Sequence, residues 1–544
     1  MKRRDLLETW VAAAAAAALP AAANSTVALM HRAQADLRRL QAHLHFLADP
    51  LLEGRETGTR GYDLAAAYVA SQFAQLGLKP MGDAGSYALP VPLRTSRLAA
   101  TAPSLDLCRG ETCERLAWLD EFSTRPDLSV LHSDVKAPLV FAGYGITAPR
   151  FGLDDYAGLD VKGRIAVVLS GRPPQMPSTE GAHFGNGRTK AELAARHGAV
   201  GVITLATPRS EIVAPFHLNR QFADNVAMDW QTPDGRGGSD IPGLRAAATV
   251  SVQAAPKLLA ALGRDYATLV SDAEAGRPLP RGDLGLVARL VRHSVHGQAR
   301  SHNIAGLIEG RHPRLKDEVV VLSAHLDHLG KKGDTIYPGA MDNALGIATL
   351  LEVFRLLAHG AAPDRSVLVV ALTAEEKNYL GSAYFARNPP VSAARLVANV
   401  NIDMPILLHD FKDVVALGAE HSTLGDAVAR AAADLGLGVA PDPQPEQSRF
   451  TRSDQYSFVR QGIPAVILGP GGASFDTKED GNALMRDFRR QRYHQPGDDL
   501  GQPFHWAAVQ RFAQLQWGLA REIAQQPERP RWLPGDFFGD LYGR

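Results

Sequence analysis

Four apolar runs of strand length mark the C-terminal half of this 544-residue chain, at 319–323, 367–372, 396–402 and 465–468. With a helical pattern between the first two they make an α/β alternation, which implies a largely parallel sheet flanked by helices. Between the first two runs, Ile347, Leu350, Leu351 and Phe354 recur at helical spacing and predict a helix over 343–358. The expected fold class is therefore α/β, a mixed, largely parallel sheet flanked by helices. Ligands of such sheets gather beyond the carboxyl ends of the strands. The residues at those ends are the first candidates for function.

Upstream the texture changes. Two amphipathic patterns, at 33–48 and 61–76, predict helices, the second closed by Gly77 and Pro80. From about residue 135, short β-rich runs such as 139–144 and 165–169 are broken by Gly and Pro, which suggests a separate β-rich module inserted over 129–283. It would divide an N-terminal part of the main domain, 24–128, from its larger part, 284–528, with a tail at 529–544. Residues 1–23 read as a cleavable export signal: Lys2, Arg3 and Arg4, an apolar stretch at 11–19, then Ala21, Ala22 and Ala23. The expected destination is the periplasm or the exterior, by the Sec or the Tat route, with no stable membrane insertion once the signal is removed. Cys108 and Cys113 are the only two cysteines, and in an oxidising compartment they would close a short disulfide loop. Lys plus Arg equals Asp plus Glu at 58 each, so nothing points to a nucleic acid partner. Eighteen His against two Cys leave imidazole and carboxylate as the metal-binding chemistry.

Polar residues of those types bunch at the strand ends. The first run empties into His325 and Asp327, which strand periodicity would turn to the same side, so that the carboxylate could orient the imidazole. Asp342 follows at a turn before the helix, where alone it would read as an N-cap. The second run ends at Glu375 and Glu376, the third at Asp403, and Tyr493-His494 lies in a turn-rich loop further on. Two-metal hydrolysis needs a bridging ligand, separate ligands for each ion and a base for the shared water. Two Zn²⁺ against Asp342, Glu376, Asp403 and a hydroxide would be neutral, which avoids an uncompensated buried charge. The donors suit zinc, and manganese or cobalt share them. Neither Gly-x-Ser-x-Gly nor His-Glu-x-x-His occurs, so serine and single-zinc peptidase chemistry lack their motifs.

At these motifs the chain resembles metallopeptidase family 28, the co-catalytic zinc aminopeptidases of the bacterial leucyl aminopeptidase type. By that resemblance, two Zn²⁺ would be held per chain: His325 and Asp403 on one ion, Glu376 and His494 on the other, and Asp342 bridging both. Glu375 would be the general base, Asp327 would brace His325, and Tyr493 would polarise the scissile carbonyl. The segments Leu51-Leu52-Glu53-Gly54-Arg55 and Thr57-Gly58 are similar to the N-terminal start of the family's catalytic domain. Phe141 to Ile146, Asp154-Asp155-Tyr156 and Val161-Lys162-Gly163 are similar to its inserted protease-associated domain. Lys377-Asn378-Tyr379 after Glu376, and Gln455 after Arg452-Ser453-Asp454, depart from the commoner pattern, which bears on substrate preference. The resemblance implies an exported zinc exopeptidase acting on the N-terminal bond of peptides. A carboxypeptidase or dipeptidase, a glutaminyl cyclase-like enzyme and a non-catalytic binding module are its rivals.

Overall fold

The structure, a computed structural model, describes residues 34–543 apart from Asp224, with residues 221 and 222 described by their backbone alone. The expected export signal at 1–23 lies outside the described residues. Helices α1 (Leu37–Leu47) and α2 (Arg60–Gln75) open the described chain. The side chain of Thr59 caps the start of α2, and Gly77 at φ 69° follows its end. Strand β1 (Ala88–Leu98) follows.

The chain then builds a second body from β2 (Ser104–Arg109), β3 (Thr112–Leu116), β4 (His132–Phe141), β5 (Ile165–Leu169), helix α3 (Ser178–Gly185), β6 (Gly201–Leu205) and β7 (Ala246–Val250). Cys108 and Cys113 face each other across β2 and β3 and are joined in a disulfide. Strand β8 (Gly282–Ile308) is shared: its first half pairs with β2 and β4, and its second half with β1. One continuous strand thus carries two sheets.

The C-terminal half follows the expected alternation: β9 (Val319–His325), α4 (Leu345–His359), β10 (Ser366–Leu372), α5 (Leu380–Arg387), β11 (Leu396–Asn401), β12 (Asp413–Leu417), β13 (Ala465–Pro470), α6 (Gly481–Gln491) and α7 (Trp506–Gln525). Strands β10, β9, β11 and β13 are parallel neighbours in that order, with antiparallel β8 on one side and β12 on the other. This is the mixed, largely parallel open sheet that the apolar runs predicted. Every residue of β9 and of β10 is buried, as a strand covered on both faces requires. Ile347, Leu350, Leu351 and Phe354 are all buried in the main core, on the helix that their spacing foretold.

That helix starts two residues later than predicted. Asp342 and Asn343 depart from helical dihedrals within the turn Ala340–Ala344, because their main chain and side chains are engaged elsewhere, as described below. The N-cap is Ala344, so Asp342 has no capping role.

The second body has its own core, drawn from Leu105 to Leu290, and meets the main domain beneath α3. There Thr179 Oγ1 lies 2.7 Å from His421 Nε2, while His421 Nδ1 lies 2.6 Å from Asp536 Oδ2, all three side chains being buried. Burial opposes the charged ring, but the hydrogen bond to Asp536 and the charge of Glu420 prevail and raise the His421 pKa above its ordinary 6.5. For Asp536 burial is likewise outweighed by His421, and its pKa falls below 3.8. The contribution of a raised imidazole is complete below about pH 6.5 and is lost as pH climbs through the folded value; that of a depressed carboxyl is lost only as pH falls below about 4. The stability gap between the protein and a His421→Gln variant, read by thermal melts, is therefore expected to narrow from pH 6 to pH 9. A constant gap would show that the junction carries no charge coupling.

Candidate metal centre

Side chains from three strand ends and two loops meet beyond the carboxyl edge of the main sheet. His325 closes β9, Glu375 and Glu376 follow β10, and Asp403 follows β11. Asp342 arrives on the turn before α4, and His494 on the loop after α6. His325 Nε2 lies 3.0 Å from Asp403 Oδ1 and 3.2 Å from Asp342 Oδ1. His494 Nε2 lies 3.3 Å from Asp342 Oδ2 and 3.2 Å from Glu376 Oε2. Asp342 therefore offers one oxygen to each side.

Those separations test whether the residues fit a metal. Two donors bound at about 2.0–2.2 Å to one ion, at bond angles of roughly 90–110°, are about 2.9–3.4 Å apart. All four distances fall in that interval. Glu376 Oε1 is buried without an aligned hydrogen bond, which is the state of a donor atom awaiting a third body. The electrostatics agree. Burial alone would push the pKa of Asp342 and Glu376 up, yet the facing imidazoles hold both well below the carboxylate range. His494 is driven up to about 10 against its own burial by Glu376 and Asp342. Buried acids and imidazoles in such mutual demand suit a cation.

Glu375 behaves differently. Burial raises its pKa well above the usual carboxylate value, with Asp403 and Glu376 adding repulsion. It forms none of the ion-pair contacts among the donors, and its main-chain N–H donates to Asp327 Oδ1 at 3.0 Å.

Asp327 is placed otherwise than strand periodicity implied. The strand stops at His325, and the alternation stops with it. The ring Nδ1 of His325 meets the main-chain oxygen of Asp327 at 3.1 Å, not its carboxylate. That carboxylate instead collects the N–H groups of Glu375 and Glu376, at 3.0 and 3.3 Å, and the Thr57 hydroxyl at 3.1 Å. It shapes the Glu375-Glu376 turn rather than the imidazole. Tyr493 stacks on the His494 ring with centroids 3.8 Å apart.

Several neighbours were not anticipated. Asp498 accepts from the N–H groups of Met341 and Asp342, at 2.8 and 3.0 Å, and fixes the turn that aims Asp342. Asn343 donates to Ile402 O at 2.9 Å and accepts from Met404 N at 3.1 Å, tying that turn to the tip of β11 beside Asp403. Arg55, fully buried, donates to the main-chain oxygens of Leu326, Pro338 and Gly339 at 3.0, 2.6 and 3.1 Å. Burial lowers its pKa to about 10, and the charges of Asp498 and Asp327 oppose that fall. Asp454 is buried near His325 with its pKa raised to about 7 by burial. His328 is buried beside Glu376. A signal for the last existed in the density of His-x-Asp-His, but strand alternation assigned it to the opposite face. His293, His296 and His302 all lie on β8.

Residues 303–520, which span these donors, match the sequence profile described as Peptidase family M28. The chain is 24% identical over 498 residues, 88% of this chain and 83% of the relative, to the "Probable lipoprotein aminopeptidase LpqL" of Mycobacterium tuberculosis (strain ATCC 25618 / H37Rv). A "Probable zinc metalloprotease" of Pyrenophora tritici-repentis (strain Pt-1C-BFP) is 36% identical over 67 residues, a stretch that spans 12% of this chain and 15% of that relative's length. The fold is similar to that of an aminopeptidase from Aneurinibacillus sp. strain AM-1, with a TM-score of 0.52 at 19% identity, covering 92% of this chain and 96% of the other. The matched residues carry the motifs read from the sequence.

In this centre, Gly339 has φ +60°, and a Cβ there would stand 2.2 Å from Asp342 O and 2.5 Å from His328 Cγ. Gly339→Ala should therefore shift the Asp342 turn and weaken zinc retention at least about tenfold, measured by metal content after dialysis against a fixed free-zinc buffer. Unchanged retention in a folded variant would show that the turn tolerates the displacement.

Proposed function

We propose that this chain is a zinc-dependent exopeptidase that hydrolyses the N-terminal bond of peptides, with two ions held by His325 and Asp403 on one side, Glu376 and His494 on the other, and Asp342 between them. The observation that supports it most is the run of four donor separations of 3.0–3.3 Å that passes through both oxygens of Asp342. When bound, such a pair of ions supplies Lewis acidity and a bound water whose pKa is lowered to about 7.

The chain's own residues do the rest. Glu375 is the general base: it takes the proton of the attacking water and passes it to the leaving amine, and its burial gives it the raised proton affinity that this shuttle needs. Asp327 holds the two N–H groups of the Glu375-Glu376 turn, so that one carboxylate faces the donors and the other stands beside them. Asp498 and Asn343 keep Asp342 and Asp403 in register. Tyr493, fixed against His494, donates its hydroxyl to the carbonyl oxygen as charge develops there. The protease-associated domain at about 129–283 lies within the β-rich body around the second core, which also takes in β2 and β3, and it borders substrate access. The charge pattern of residues 1–23 supports export to the periplasm or exterior. Among the described residues no helix is long and apolar enough to cross a membrane.

Glu375→Gln is expected to keep its zinc and to lose about 10²–10⁴-fold or more in kcat on an aminoacyl nitroanilide. Wild-type activity should vanish with a chelator, return with zinc, and fail on the N-acetylated substrate. A fully active Glu375→Gln enzyme would remove the assigned base, and equal cleavage of the blocked substrate would remove the aminopeptidase reading.

A further inference from the structure

His328 has no role in the set just described, yet it sits inside the centre. Its side chain is fully buried, with Nδ1 2.9 Å from Glu376 Oε1 and 3.9 Å from Asp342 Oδ2. Its ring centroid is 5.8 Å from that of His494, at an interplanar angle of 68°, so the two imidazoles converge on Glu376 from different directions. The space for the ring exists because residue 339 is a glycine whose Cβ would overlap it.

The decisive feature is an absence of hydrogen bonding. His328 Nδ1 and Glu376 Oε1 are separated by 2.9 Å, but neither is aligned as donor or acceptor to the other, and both are buried without another hydrogen-bond partner. Nε2 of the same ring is also without one. A histidine that served to hold the carboxylate would direct an N–H at its oxygen. Two buried donor atoms that approach to the edge length of a coordination polyhedron without bonding are placed for a common third body. His328, Asp342 and Glu376 have their donor atoms within 4.8 Å of one another, as His325, Asp342 and Asp403 do.

We propose that His328 is a ligand of the ion on the Glu376 side, which then has four protein donors, His328, His494, Glu376 and Asp342, against three, His325, Asp342 and Asp403, on the other side. This rests on the two-metal reading above and deepens it. A four-donor site is closed in the manner of structural zinc, whereas a three-donor site keeps an open position for water or substrate. The two ions thus differ in duty. The four donors His328, His494, Glu376 and Asp342 would hold the more tightly bound ion, and the open position beside Asp403 and Glu375 would be left for substrate.

X-ray absorption at the zinc edge on the full chain carrying one equivalent of zinc counts the imidazoles directly. The expected count is two for the wild type and one for His328→Asn, with the first zinc dissociation constant raised at least tenfold and the second within about twofold. His328→Gln serves as the second variant if the first is unstable. One imidazole in the wild-type one-zinc form, with an unchanged first constant in the variant, would overturn the proposal. A wild-type chain that saturates at one zinc would instead defeat the two-metal reading, and the imidazole count would still decide the role of His328.

Discussion

The centre is organised around one buried carboxylate that faces two ways. Asp342 presents one oxygen to His325 and the other to His494, and both imidazoles touch a further acid. Gathering Asp327, Asp342, Glu375, Glu376, Asp403, Asp454 and Asp498 at one sheet edge, most of them almost without solvent, is costly unless positive charge joins them. Arg55 answers part of that demand. On the proposed function a pair of divalent cations would answer the rest, which would make metal binding and the stability of this edge a single problem.

The remainder of the fold can be understood as support for that edge. Fully buried β9 and β10 deliver His325 and the Glu375-Glu376 pair from rigid backbone. Loops would place them loosely, so they are tied together: Asp498 and Asn343 fix the Asp342 turn, Arg55 clamps the main-chain oxygens of Leu47, Leu326, Pro338 and Gly339, and Thr57 connects Asp327 with Ala374 N. Strand β8 runs through both sheets and joins the second body to this platform, while the Thr179, His421 and Asp536 contact fastens it from the other side. Catalytic geometry of this sort depends on the partners of the donors as much as on the donors.

Much of this was legible in the sequence, for identifiable reasons. Unbroken apolar runs reveal doubly covered strands, and the acids and histidines that interrupt the pattern at their ends stand out because nothing in a buried strand calls for them. His325, Glu376 and Asp403 stood out in that way, Asp342 at a turn before the helix and His494 in a turn-rich loop, and the five side chains lie together. What was not legible depended on details finer than periodicity. Asp327 was expected to face the imidazole, but the strand ends two residues earlier and its carboxylate turns to the Glu375-Glu376 main chain. The helix at 343–358 was expected to begin at Asn343, but hydrogen bonds to the strand tip hold that residue out of helical geometry. Arg55, Thr57 and Asp498 act through main-chain groups far away in the chain, and only three-dimensional contacts show that.

The central claim is that one carboxylate is shared by two cations. Anomalous scattering from crystals grown with zinc measures this directly. Two peaks about 3.5–4 Å apart, one on each side of the Asp342 carboxyl, are the predicted result. A single peak, or peaks that leave Asp342 without a neighbour, would contradict the account.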